Sequence, residues 1–197
     1  MEATVVTNTN VTFDNSHLSP FGDYSLTVLQ NEAGDYTTMW FDKTELPSGI
    51  ASSLTPITWN VDEEADYYLA PQGSGFSAAS IAAGQFTPFF VVDNPSTIQV
   101  PYDNFYLGIN TGVGFTGPPF HPRRDVFGWV HLLNTPNGLE MLGNAMAYGT
   151  QGIYIGTVNT VPEPESGSLL CLAMILLGLI TLFSRRRHNV YLDRKIR

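Results

Sequence analysis

Asn104 to Asn110 (NFYLGIN), Asp125 to Asn134 (DVFGWVHLLN), Thr135-Pro136-Asn137-Gly138 and Leu139 to Tyr148 (LEMLGNAMAY) make up the stretch that decides the fold. In the first run Phe105, Leu107 and Ile109 alternate with Tyr106 and Gly108, the period of two that sends side chains to opposite faces of a strand. The second run alternates imperfectly through Val126, Phe127, Trp129 and His131. Asn137-Gly138 supplies residues that tolerate positive φ, so Thr135 to Gly138 is predicted to turn the chain into a hairpin. With Gly152 to Val158 after them, these segments predict an antiparallel meander.

Working outward toward the start, Thr4 to Phe13 (TVVTNTNVTF) is rich in Thr and Val and predicts an opening strand. Asp14 to Asp23 carries turn residues. Tyr24 to Gln30 places Leu26 and Val28 on one face, and Asn31 to Asp35 closes a hairpin onto Tyr36 to Asp42 (YTTMWFD). From Lys43 to Gln85 prolines and glycines interrupt any period, leaving short strands at Ile57 to Val61 and Tyr67 to Leu69 and a helical turn or two at Ser77 to Ala83. Phe86 to Val92 is strongly apolar, and Pro88 within it predicts an edge position or a strand that starts after it. Thr97 to Val100 is the next short strand. Strands at this spacing, punctuated by Gly and Pro, predict an all-β body, an antiparallel β-sandwich or jelly roll, over residues 1–160.

Toward the other end the pattern changes. Ser166 to Ser184 is an apolar run of nineteen residues without a readily ionised side chain. As a helix rising about 1.5 Å per residue it measures roughly 28 Å, close to the roughly 30 Å of bilayer hydrocarbon. A single C-terminal transmembrane helix is therefore expected at 166–184. Arg185, Arg186 and Arg187 follow it as a membrane stop, and the positive-inside rule keeps them cytoplasmic and puts the body on the far side. Residues 188–197 form a cytoplasmic tail.

The order Pro162-Glu163-Pro164, apolar span, Arg185-Arg186-Arg187 resembles the PEP-CTERM sorting signal of exported bacterial proteins, here over 161–187. The segment from Phe105 to Gly108 through Gly152 to Thr157 is similar to the last strands of many ectodomains that carry the signal. The resemblance implies a protein held in the inner membrane, body outside the cytoplasm, until an exosortase, a membrane cysteine protease, cuts near Pro162-Glu163-Pro164. It then implies release to the cell surface or medium and a role in the extracellular or exopolysaccharide matrix. The partners implied are the membrane, an exosortase and exopolysaccharide. Two features depart from the pattern. Met1-Glu2-Ala3-Thr4 opens on polar sequence without the basic and apolar regions of an export signal, so an upstream signal is expected, with tail anchoring as the alternative. His188 to Arg197 is longer than the usual tail.

Charge excludes one class of partner. The net charge of −9 is divided: Glu2 to Glu165 holds 17 acids against Lys43, Arg123 and Arg124, while Arg185 to Arg197 holds six bases against Asp193. An acidic body is a poor match for nucleic acid, whose binding depends on Lys and Arg. The only cysteine, Cys171, lies in the expected span, so the body has no disulfide.

Catalytic motifs are not evident. G-x-S-x-G is missing, the glycines of Gly108 to Gly114 lack a phosphate-loop ending, and His17, His121 and His131 show no zinc-ligand spacing. No catalytic residue and no cofactor is assigned. Asp62, Glu63, Glu64 and Asp66 form the densest acidic cluster and are a weak calcium candidate, since calcium takes several carboxylate oxygens, although the EF-hand frame is absent. Aromatic residues are abundant. Exposed Tyr or Trp can stack on sugar rings, and Tyr67, Tyr68 and Tyr102, in polar surroundings, are the candidates for glycan contact. The expected function is a non-enzymatic, exported surface or matrix protein, with a carbohydrate-binding module as the alternative. A glycan-active hydrolase is a third reading, because its two carboxylates leave no local signature.

Overall fold

In a computed structural model, residues 4–16, 22–29, 36–45, 51–57, 65–91, 94–95, 97–101, 103–111 and 126–162 are described. By its contacts the chain divides into two units, Met1–Pro162 and Glu163–Arg197, and every described residue belongs to the first. The expected span at 166–184 and the arginines after it lie outside the described residues. Among the described residues no helix is long and apolar enough to cross a membrane.

The strands run β1 (Thr4–Thr7), β2 (Val11–Asp14), β3 (Tyr24–Leu29), β4 (Tyr36–Glu45), β5 (Ala51–Ile57), β6 (Asp66–Leu69) and β7 (Gly75–Ser77). After the short helix α1 (Ala78–Ala82) come β8 (Thr87–Val91), β9 (Asn94–Pro95), β10 (Ile98–Pro101), β11 (Asp103–Asn110), β12 (Phe127–Thr135), β13 (Gly138–Tyr148) and β14 (Gly152–Tyr154). All the pairings are antiparallel. They build a large sheet in the order β1-β13-β12-β11-β6-β8-β9, a smaller one in the order β10-β5-β4-β3-β2, and the two-stranded ribbon β14-β7.

The two main sheets share one core, which makes the body all-β and sandwich-like. Leu26 and Val28 of β3, Met39 and Phe41 of β4 and Leu54 of β5 meet Tyr67, Leu107, Ile109, Val130, Leu132 and Met146 of the large sheet. Tyr24 stacks between Phe13 and Phe41 at centroid distances of 5.8 and 5.6 Å, and Phe41 meets the ring of Phe89 edge-on. At one margin the Tyr148 hydroxyl ties the sheets together: it donates to the Leu29 carbonyl at 2.9 Å and accepts from Asn10 Nδ2 at 2.7 Å. Inside, Asn134 Nδ2 donates to Ser52 Oγ and to the Pro101 carbonyl.

The other face of the large sheet is covered as well. Phe76 of β7, Phe86, Ile153 and Ile155 pack onto Tyr68, Tyr106, Phe127, Trp129, Ala145 and Ala147. This layer is thin and closely fitted: a Cβ on Gly108 would lie 2.6 Å from the Phe76 ring, and one on Gly152 would lie 2.3 Å from the Phe76 carbonyl oxygen. Ser77 starts α1 as its N-cap, its hydroxyl accepting from the Ser80 amide while the Ser80 hydroxyl accepts from the Ser77 amide. Trp129 Nε1 donates to the Thr157 carbonyl at 2.8 Å and pins the end of the layer.

The hairpin of β3 and β4, the strands β6 and β11, and the helical turn stand where the sequence places them. Four expectations are corrected. Thr4 to Phe13 is two strands in different sheets, because Asn8 takes a left-handed φ of 58° and turns the chain. Pro88 lies within β8, opposite Tyr68 next to a register shift, so of the two positions expected for it the strand start is excluded; β9 pairs only with Phe90 and Val91. The strand expected at Ile57 to Val61 lies outside the described residues except for Ile57, the last residue of β5. In the β12–β13 turn only Gly138 has positive φ, at 142°, since Pro136 fixes its own φ negative and the two residues that turn are Pro136 and Asn137. β14 leaves the meander and pairs with β7.

Candidate functional site

The smaller sheet buries only one face, so the side chains of the opposite parity define a surface. Along β3 burial alternates strictly, with Tyr24, Leu26 and Val28 inward and Ser25, Thr27 and Leu29 outward. Through the register, Thr12 of β2, Thr27 of β3 and Thr38 of β4 stand side by side as one rank. Asp14, Ser25 and Trp40 form the next, then Asp42 and Thr55, with Thr97 beside Thr55, then Thr44, Ser53 and Gln99, of which Ser53 is buried. Tyr36 stands opposite Leu29.

Hydroxyl pairs link the strands across this surface. Thr27 Oγ1 and Thr38 Oγ1 are 2.8 Å apart, Thr44 and Ser53 share a hydroxyl bond, and Thr55 and Thr97 approach to 3.4 Å. A hydroxyl offers one donor and two acceptors, so pairing leaves each with further capacity. Tyr36 is 51% exposed and Trp40 is half-buried. Lys43, the only base before Arg123 in the sequence, has the opposite parity and donates from Nζ to the Thr135 carbonyl of β12. Among the described residues the acids on this face are Asp14, Asp42 and, at its end, the exposed Asp23; Asp14 accepts from the Ser16 amide at 2.8 Å and Asp42 from the Asp23 amide at 3.0 Å. The arrangement is a hydroxyl-lined, weakly acidic sheet face bearing two aromatic rings.

The residues expected to contact glycan lie elsewhere. Tyr67 and Tyr68 were expected to face solvent and do not: they are 1% and 6% exposed. The reason is β6's place between β11 and β8, with both faces of the sheet covered, so neither parity reaches water. Tyr67 enters the core between the sheets, where burial and the neighbouring Asp66 charge push its phenol well above its ordinary range. Tyr68 packs on Phe76 at 5.8 Å, and its hydroxyl donates to Asp66 Oδ2 at 3.3 Å. Burial, then the Asp66 charge and that bond, push its phenol up to about 12. Tyr102 lies outside the described residues.

Asp66 is likewise buried, opposite Asn110, near the end of the large sheet. Of the acidic cluster it alone is described; Asp62, Glu63 and Glu64 lie outside. Among the described residues no three His, Cys, Asp or Glu gather as metal ligands. His131 stacks on Tyr106 at 4.1 Å and 8°, half-buried on the outer face of the large sheet, and burial draws its pKa down. His17 and His121 lie outside. Pro162 is the last described residue, exposed; Glu163, Pro164 and Arg185 to Arg187 are outside.

Sequence reasoning passed over the hydroxyl face, although its signal was present. The parity that carries Leu26 and Val28 inward, transferred across the β3–β4 hairpin, sends Thr38 and Trp40 outward. Compared with family models, curated proteins and solved structures, the chain matches none.

Proposed function

We propose that this is an exported, non-enzymatic surface or matrix protein, a β-sandwich ectodomain held by the C-terminal span at 166–184 until an exosortase cuts near Pro162-Glu163-Pro164. The observation that supports this reading best is where the folded body ends. Thr160 bridges Ile153, the Val161 amide donates to the Gly152 carbonyl at 2.9 Å, and the contact boundary follows Pro162. Among the described residues the last backbone pairings of the body thus lie at Thr160 and Val161, just ahead of the Pro-Glu-Pro. The basic stop after the span supports an outward-facing body by the positive-inside rule.

Mass spectrometry of the protein released from cells tests this. The expected mass ends close to residues 162–164. A released form that still carries Leu169 to Arg197 overturns the processing step, and a body degraded by cytoplasmic protease in sealed spheroplasts overturns the topology.

A further inference from the structure

We infer that the β1 margin of the body is a self-pairing edge, through which two copies of this chain join antiparallel, β1 to β1, as a closed two-fold dimer. The segment Thr4 to Asp14 borders both sheets, since β1 is the outermost strand of the larger sheet and β2 of the smaller. Asn8 carries the chain from one to the other: its amide donates to the Asn144 carbonyl of β13, and its side-chain oxygen accepts from the Asn144 amide, both at 3.3 Å. β1 pairs with β13 on one side, and among the described residues no strand pairs with its other side. An edge strand sends alternate N–H and C=O groups outward, a template that another strand completes. Proteins blunt such edges with charge, proline or a bulge. Thr4 to Phe13 has no charge and no proline, β1 keeps an unbroken register with β13, and Thr4 and Thr7 are exposed.

The opposite margin decides the symmetry. There the larger sheet ends in β9, two residues long and including Pro95, beside β8 with its Pro88. The smaller sheet ends in β10, which closes on Pro101, whose carbonyl accepts from Asn134 of the larger sheet. Head-to-tail growth needs two different open edges, and these strands make a poor second one. The contact is therefore isologous: β1 meets its own counterpart and the pair closes. Val5 packs toward the ribbon layer and Val6 toward the core. A two-fold axis perpendicular to the larger sheet keeps each face with its like, so the ladder centres on Val5 or on Val6, valine against valine. An isologous seam also sets each residue near its own copy, where a charge would meet the same charge; Thr4 to Phe13 brings none.

The test is the mass of the full-length protein by light scattering across a dilution series, in mild detergent so that the apolar run at 166–184 stays dispersed. An equilibrium between monomer and dimer is expected, with no larger species. Thr4→Lys with Thr7→Lys puts like charges on both sides of the seam and is expected to raise the dimer dissociation constant about tenfold. Thr97→Lys with Gln99→Lys, at exposed positions on the β10 margin, is expected to leave it unchanged. Thermal midpoints of dilute samples within about 3 °C of the parent show that folding is not the cause. If the β1 double variant melts lower, Thr7→Lys alone is read in its place, with a rise of about threefold. A monomer at every concentration, open-ended growth, a dimer indifferent to the β1 lysines, or equal loss in both double variants overturns the inference. Release near Pro162 is measured separately, so either reading can fail alone.

Discussion

Tyr68 shows how a residue's place in a sheet sets its chemistry. Its phenol is pushed up to about 12, above the 10.0 of the unfolded chain, so the folded state favours the protonated form. The stability this contributes is whole below pH 10 and is lost as pH rises from there to about 12. Tyr68→Phe is expected to cost about 1 kcal/mol at neutral pH by removing the bond to Asp66. It should also make alkaline denaturation less steep in that window, with Tyr67 keeping its own share; urea unfolding at pH 8 and pH 11 measures both. His131 has the opposite sign: burial lowers its pKa from 6.5, so its contribution is present above that pH and is lost as pH falls. An NMR titration should place its midpoint below 6.5. Tyr67 and Tyr68 misled sequence reasoning because Asp62 to Asp66 beside them looks wet. Their burial comes from β11 and β8, some forty and twenty residues away in the chain, which no local pattern encodes.

At the scale of elements, one covered face and two covered faces give different sequences. β3 and β4 belong to a sheet with one face buried, and their period of two was legible. Leu26→Ala and Met39→Ala are therefore expected to cost about 2–5 kcal/mol, and Ser25→Ala to stay within about 0.5 kcal/mol, in chemical denaturation. β12 alternates poorly for a physical reason: Phe127 and Trp129 meet the ribbon layer while Val130 and Leu132 meet the smaller sheet, so both parities are apolar. The ribbon is assembled from residues 75–77 and 152–154, far apart in sequence, and neither piece is long enough to announce itself. Gly152 marks their contact. Gly152→Ala is expected to destabilise by about 1–3 kcal/mol because the new methyl meets backbone at 2.3 Å. At Gly143, whose nearest neighbour would be 3.7 Å away, the same change should be close to neutral.

For the whole molecule, the bonds at Gly152, Ile153 and Val161 close the last described turn of the body. Truncation after Pro162 is expected to preserve the thermal midpoint. Truncation after Thr150 removes β14 and Ile155, uncovers Phe76, Phe127 and Trp129, and is expected to yield an unfolded or aggregating chain by the same melting assay. The sheets themselves were foreseeable from the sequence; how they face each other was not, since the chain crosses between them at links as short as the single residue between β10 and β11, while the long link from β11 to β12 stays in one sheet. One pairing governs the order in which the molecule can be made. β1 at residues 4–7 takes its place against residues 145–148 of β13, so the two ends of the described body must meet to complete the larger sheet. Such distant closure slows folding, and this margin of the larger sheet stays open until residues some 140 positions apart have met.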